Sequence, residues 1–273
     1  MTTVEAPALS STGISRGVLR VTQLRVVLSE WTKLRSLRST VYTLLTAVVL
    51  MIGLGALFAA IAASQPSFNP GESATSTSLT GTFFAQLAIG VLGVLLISGE
   101  YSTGMIRASL TVVPGRLPVL WAKLAVFAAA VFGAMLLASL TSFLIGQALL
   151  SGHHPTASLA DPATLRSVVG AALYLTVAGM TGLALGALLR HTAAAISTFV
   201  GAFFVIPPLM LLLPAPFSSH VVQYLPSNAG AMLVGGSYGV SNPLAPWTGF
   251  AVMCGYALVL IGWAAWQLRR GDA

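Results

Sequence analysis

The residues Gly99 to Arg116, GEYSTGMIRASLTVVPGR, interrupt an apolar chain with a carboxylate, two guanidinium groups, a phenol and several hydroxyls. At a helical 100° per residue, Glu100, Thr103, Gly104, Arg107 and Thr111 share one face, and Tyr101, Met105, Ile106, Ser109, Val112 and Val113 take the other. A carboxylate and a guanidinium two turns apart on one face can hold a helix in register against a partner protein, or anchor it among lipid headgroups. Pro114 ends such a helix, because it has no N–H and restricts the residue before it. The pattern predicts a short amphipathic helix at a membrane surface. The competing reading is a polar connecting loop, which ordinarily shows turn residues without two faces.

Catalytic constellations are missing. There is no G-x-x-x-x-G-K-[ST], so ATP has no P-loop here, and neither G-x-S-x-G nor H-E-x-x-H occurs. His153 and His154 are adjacent in a polar stretch and read as solvated groups. His191 and His220 have no partner nearby in sequence, and the single cysteine, Cys254, lies in an apolar run. No metal site, cofactor or enzyme activity is expected.

The elements around this segment belong in a bilayer. Of 273 residues 56% are hydrophobic and 7% charged, against about 25% charged in soluble domains. The formal charge of +7 sits beside apolar stretches, so it reads as topology and anionic-lipid contact and not as nucleic-acid binding. Met1 to Ser15 is small and polar, and nothing in the first ~30 residues resembles a cleaved signal; residues 1–17 read as a disordered tail. From about Val18 to residue 40 a basic amphipathic helix is expected at the interface. Its stripe is Leu24, Val27, Leu28, Trp31 and Leu34, opposite Thr22, Arg25, Ser29, Lys33 and Ser36.

Six spans follow within residues 41–268, with 269–273 as a tail. They run from about Val41 to Ala63, Gly81 to Ser98, Leu117 to Leu150, Arg166 to Leu189, Ala193 to Leu213 and Trp247 to Leu268. The third exceeds one perpendicular crossing, and Lys123 near its start is expected to snorkel to the surface. Arg190-His191-Thr192 makes a tight turn, so the fourth and fifth spans are antiparallel neighbours. Pro207-Pro208 should break or bend the fifth. The loop from Pro214 to Pro246 stays half apolar, and Val221–Leu225 and Ala229–Val234 read as short helices dipping into the protein, divided by Pro226. With both termini, the Gly99–Arg116 segment and Arg190 on one side, that side carries every Lys and Arg except Arg166. By the positive-inside rule it is cytoplasmic, in agreement with an even number of crossings.

Apart from Lys123 near an end, the apolar cores of the six spans contain no Asp, Glu, Lys, Arg or His. Gln86, Ser139, Thr141, Gln147 and Thr176 are expected to make helix–helix hydrogen bonds, and Gly179, Gly182 and Gly186 to give close packing or a dimer seam. Sparse intramembrane charge weakens an ion-coupled carrier or channel, which would call for such charges or inverted repeats. A membrane-embedded lipid-modifying enzyme would need convergent acid/base or metal-binding groups. The uncharged interior fits hydrophobic or amphipathic cargo.

The basic interfacial helix, the six spans, the inner segment E-Y-S-T-G-M-I-R-x-x-L…P-x-R, the interrupted fifth span and the half-buried HVVQYLPSNAGAML loop resemble permease subunits of the ABC transporter type-2 family, in the exporter group common in actinobacteria. The resemblance covers nearly all of the chain from about Val18. It implies an all-α, six-span integral membrane fold with a cytoplasmic coupling helix between spans two and three. It also implies a separate ATPase subunit, a second permease copy and residence in the plasma membrane. By the same resemblance Glu100, Tyr101, Gly104, Arg107, Leu110, Pro114 and Arg116 would form or support the surface that docks on the ATPase.

Overall fold

The computed structural model describes residues 23–65, 73–102, 116–152, 156–214, 220–236 and 243–270. All regular structure among them is helical. Helix α1 (Gln23–Ser36) stops at Leu37, whose extended backbone turns the chain into α2 (Arg38–Ala63). Then come the short α3 (Ala74–Ser78), α4 (Gly81–Ser102), α5 (Arg116–Leu150) and α6 (Pro162–Leu189). A helix α7 (Thr192–Leu211), the short α8 (Pro226–Ala231) and α9 (Pro246–Arg270) complete the chain. Six of these, α2, α4, α5, α6, α7 and α9, are long and apolar enough to cross a membrane.

Helices α4 and α6 form the centre. Of the most apolar stretch of α6, 78% is buried, against 22% for α2 and α7. Helix α2 packs on α4 and on α5, α5 packs in turn on α6, and α9 and α7 lean on α6. The glycines explain how the central pair approaches so closely. A Cβ on Gly182 would strike the backbone carbonyl of Gly90, and one on Gly93 would strike that of Gly179. Gly186 is likewise closed off by Ile97 and Val94. The glycines of the fourth span therefore serve packing within the chain, and the dimer-seam alternative falls away: their face is already occupied.

Several expected boundaries shift for local reasons. The second span runs on to Ser102, carrying Glu100 and Tyr101 in its last turn. The fourth begins at Pro162, because the Asp161 carboxylate caps it by accepting from the Thr164 N–H at 3.3 Å and hydroxyl at 3.1 Å. The fifth is widened rather than broken. Pro207 and Pro208 cannot donate to the carbonyls one turn back, and a π-helical turn, Gly201–Val205, precedes them and keeps the helix running to Leu211.

At the end of the bundle away from Glu100, the stretch between the first two spans contains α3, with Thr75, Thr77 and Ser78 turned inward. Ser142 donates to the carbonyls of Ser78 (2.7 Å) and Met51 (3.2 Å). Gln147 donates to Ala74 O at 3.2 Å and accepts from Ala157 N at 2.7 Å. Ser139 reaches Val168 O at 3.0 Å, and Tyr174 bonds to Gln86. Thr141 and Thr176, expected to bridge helices, instead bond to carbonyls of their own, Leu137 and Ala172. Beyond α7, a 3₁₀ turn (Val222–Tyr224) and α8 give the two short helices anticipated there. Pro226 opens the second, and residues 227–234 are buried.

Candidate functional site

At the base of α4 and α5 four charged side chains meet. Glu100 ends α4, Lys123 sits two turns into α5, and Glu30 and Lys33 lie one turn apart on α1. The Lys123 ammonium donates to Glu30 Oε2 at 2.6 Å and to Glu100 Oε1 at 2.8 Å. Lys33 donates to Glu30 Oε1 at 2.9 Å and stands 3.6 Å from Glu100 Oε1. Glu30, Glu100 and Lys123 are 4%, 8% and 3% exposed, so their charges cannot be left to solvent. Two carboxylates and two ammonium groups cancel, which is the condition under which buried charges are tolerated.

The snorkelling expected of Lys123 does not occur. Carboxylate oxygens of Glu30 and Glu100 stand 2.6 and 2.8 Å from its nitrogen, and the group stays inside, 3% exposed. Helix α1 is held the other way round from a simple greasy face. Val26 and Glu30 face the protein, while Leu28 (55% exposed) and Trp31 (45%) face outward. That leaves apolar side chains for a lipid surface and polar ones for the ion cluster. Burial alone would raise the pKa of Glu30; the charge and hydrogen bond of Lys123, then those of Lys33, outweigh it and leave it lowered. Burial alone would lower that of Lys33, but the hydrogen bond and charge of Glu30, then those of Glu100, leave it raised. Both shifts favour the ionised forms.

A second contact meets the same place. Arg190 ends α6 in the left-handed conformation (φ 52°), with its N–H on Gly186 O at 3.1 Å. Its guanidinium lies over the Tyr101 ring, 5.6 Å from the centroid. His191 caps α7 by accepting at Nδ1 from Ala194 N, and Thr192 donates to Ser98 at 2.9 Å, so the tight turn is fastened to α4. A non-glycine residue in this conformation costs roughly 1–2 kcal/mol, and an exposed cation–π contact returns about 0.5–1 kcal/mol. Arg190→Gly loses the contact but releases the backbone; Arg190→Ala loses the contact and keeps the strain. The glycine variant is therefore expected to unfold in detergent with about 1 kcal/mol more stability than the alanine variant.

Of the residues that the sequence marks for docking, Glu100 and Tyr101 are brought together with Lys33, Lys123 and Arg190. Gly104, Arg107, Leu110 and Pro114 lie outside the described residues, and Arg116 opens α5. His153 and His154 also lie outside, and no group of three or more His, Cys, Asp or Glu side chains capable of holding a metal occurs among the described residues. Glu30 escaped the sequence reading. Its signal was available: with six acidic residues in the chain, a lone carboxylate on a basic helix and a lone lysine in a span each need a counter-charge.

A family model described as ABC-2 family transporter protein matches residues 26–207, more than half of the chain. The match takes in every member of the charge cluster. A search of curated proteins finds no match.

Proposed function

The chain belongs to the ABC-2 family of transporter proteins and is a multi-pass membrane permease; from that membership we propose that it exports its cargo using ATP hydrolysed by a separate subunit. In this reading residues 99–116, from the last turn of α4 to the start of α5, carry the coupling helix. Arg107 and its neighbours touch the ATPase directly, and Glu100 supports the segment from behind. The chain pairs with a second permease copy in the plasma membrane, with both termini in the cytoplasm.

The observation that carries the reading is the Lys123–Glu100 ion pair. It ties the helix that enters the segment to the helix that leaves it, at 2.8 Å, and Glu30 adds α1 to the same knot. A force applied to residues 103–115 would then act on three helices together. The two central spans, α4 and α6, would follow, since α4 cannot slide on α6 past its interlocked glycines. Such a mount suits a lever and is more than a connecting loop needs.

The test is capture of an ATPase by the tagged full-length chain from detergent-solubilised membranes. A partner with a P-loop is expected. Arg107→Ala should lower its recovery at least about thirtyfold, from the loss of roughly 2–5 kcal/mol when a charged contact is left unpaired. Arg107→Lys should restore little, because an ammonium cannot reproduce the guanidinium fork. Full ATP-coupled transport by both variants would remove Arg107 from the docking surface.

A further inference from the structure

Between α4, α6, α7 and α8 lies a cavity of about 150 Å³, in the half of the bundle away from the charge cluster. Its floor is polar and buried. Gln86 on α4 is fully enclosed, and Ser227 on α8 is 5% exposed. Tyr174 on α6 donates its hydroxyl to Gln86 Oε1. That bond fixes the amide, so its NH₂ group points away from Tyr174. Neither Gln86 Nε2 nor Ser227 Oγ has a hydrogen-bond partner among the described residues. Asn228 beside them is committed to Val222 O at 3.0 Å.

The walls are of another kind. Phe83 and Phe203 line the sides, and the exposed Pro208 and Leu211 stand at the mouth. The cavity is thus an apolar, ring-sized slot lined at one end by two residues whose buried donors are unmet. Buried donors without partners each cost about 1–3 kcal/mol, which a bound acceptor would relieve. A volume of this order accepts a benzene-sized group.

We infer that this cavity is a binding site for the carbonyl oxygen of an uncharged apolar molecule, held by the Gln86 amide N–H and the Ser227 hydroxyl. A ketone, ester or amide oxygen supplies two lone pairs for two donors, while a ring or short chain fills the aromatic walls. Anions are disfavoured, since no Lys, Arg or His among the described residues lines the cavity. The same carbonyl chemistry is present in the ester linkage of a bilayer lipid and in an apolar cargo. The site stands whether or not ATP drives the chain.

The experiment uses the full-length chain in nanodiscs, photolabelled with benzophenone, a ketone between two rings, and read by peptide mapping. Labelling is expected on the segments carrying Gln86 and Ser227, where the carbonyl is held. Acetophenone should compete, and α-methylstyrene, which has the same shape without the oxygen, should compete about fivefold less well. Ser227→Ala should lower labelling about fivefold, the effect of one neutral hydrogen bond. It should also leave the melting temperature unchanged or raised, because the hydroxyl makes no bond among the described residues. Gln86→Met tests the second donor in the same way.

Nanodiscs of an ester-linked and an ether-linked phospholipid with the same headgroup separate the two sources. Stronger labelling in ether lipid identifies the lipid ester as the resident carbonyl. Equal labelling assigns the site to other apolar carbonyl compounds. Equal competition by acetophenone and α-methylstyrene, or unchanged labelling of Ser227→Ala, overturns the proposal, as does the absence of labelling at this site in both lipids.

Discussion

Lys123→Met is expected to destabilise the folded chain by about 3–5 kcal/mol, the usual cost of removing one partner from a buried ion pair. Methionine nearly matches the lysine stem in volume, so packing changes little. What changes is the charge. Glu30 and Glu100, 4% and 8% exposed, would share the one remaining cation, Lys33, which is itself more exposed than they are. The loss should show as a lower melting temperature in detergent and as release of α1, detected by protease cutting between α1 and α2. Adding Glu100→Leu to Lys123→Met should recover more than half of it, because Glu30 then keeps its 2.9 Å partner Lys33. A lysine reaching to the headgroups would behave otherwise: its replacement would be nearly neutral, and the second change would recover nothing.

Gly182→Ala is expected to cost about 1–3 kcal/mol, as overpacking does at close-packed sites. The added methyl would meet the Gly90 carbonyl, an atom of helix backbone that cannot rotate aside. Helices α4 and α6 would have to separate along the contact that includes Gly93 and Gly179, and with them the centre of the bundle. Gly133→Ala in α5 and Gly255→Ala in α9 are the controls, since nothing lies within 4 Å of a Cβ at either position. Both should gain roughly 0.5–1 kcal/mol from reduced backbone freedom. Thermal unfolding of the three variants in one detergent checks the order; a Gly182→Ala protein as stable as the controls would mean that the two helices can part without loss.

The spans are legible in the sequence because hydropathy is a sum over some twenty residues and survives errors at either end. Their ends are less so. Asp161 and Pro162 extend α6 by a turn through a cap made with Thr164, and Glu100 extends α4 through partners found 23 and 67 positions away. Periodicity within one helix cannot report such partners. The same limit explains α1: its apolar stripe is readable, but only Lys123 reveals that the inner face is the charged one. The π turn in α7 was anticipated only as a disturbance, since Pro207 and Pro208 fix which bonds are missing and not how the neighbours rearrange. The enclosed amide of Gln86 and the hydroxyl of Ser227 belong to positions far apart in the chain, and only the fold brings them to one cavity.

The ion cluster also orders events during synthesis. Glu30 leaves the ribosome 93 residues before Lys123, an interval of roughly five to twenty seconds at the ordinary pace of translation. Throughout it, α1 has no Lys123 to close on, and its exposed Leu28 and Trp31 give it a reason to wait on the membrane surface. Glu100 arrives next and brings a second negative charge, which repels the first until the third span starts to enter. Lys123 then bridges the two carboxylates and completes the charge balance that Lys33 began. The knot can therefore close before the Arg190–Thr192 turn reaches Tyr101 and Ser98, and a chain that has inserted its third span wrongly is marked by an amino-terminal helix that never docks.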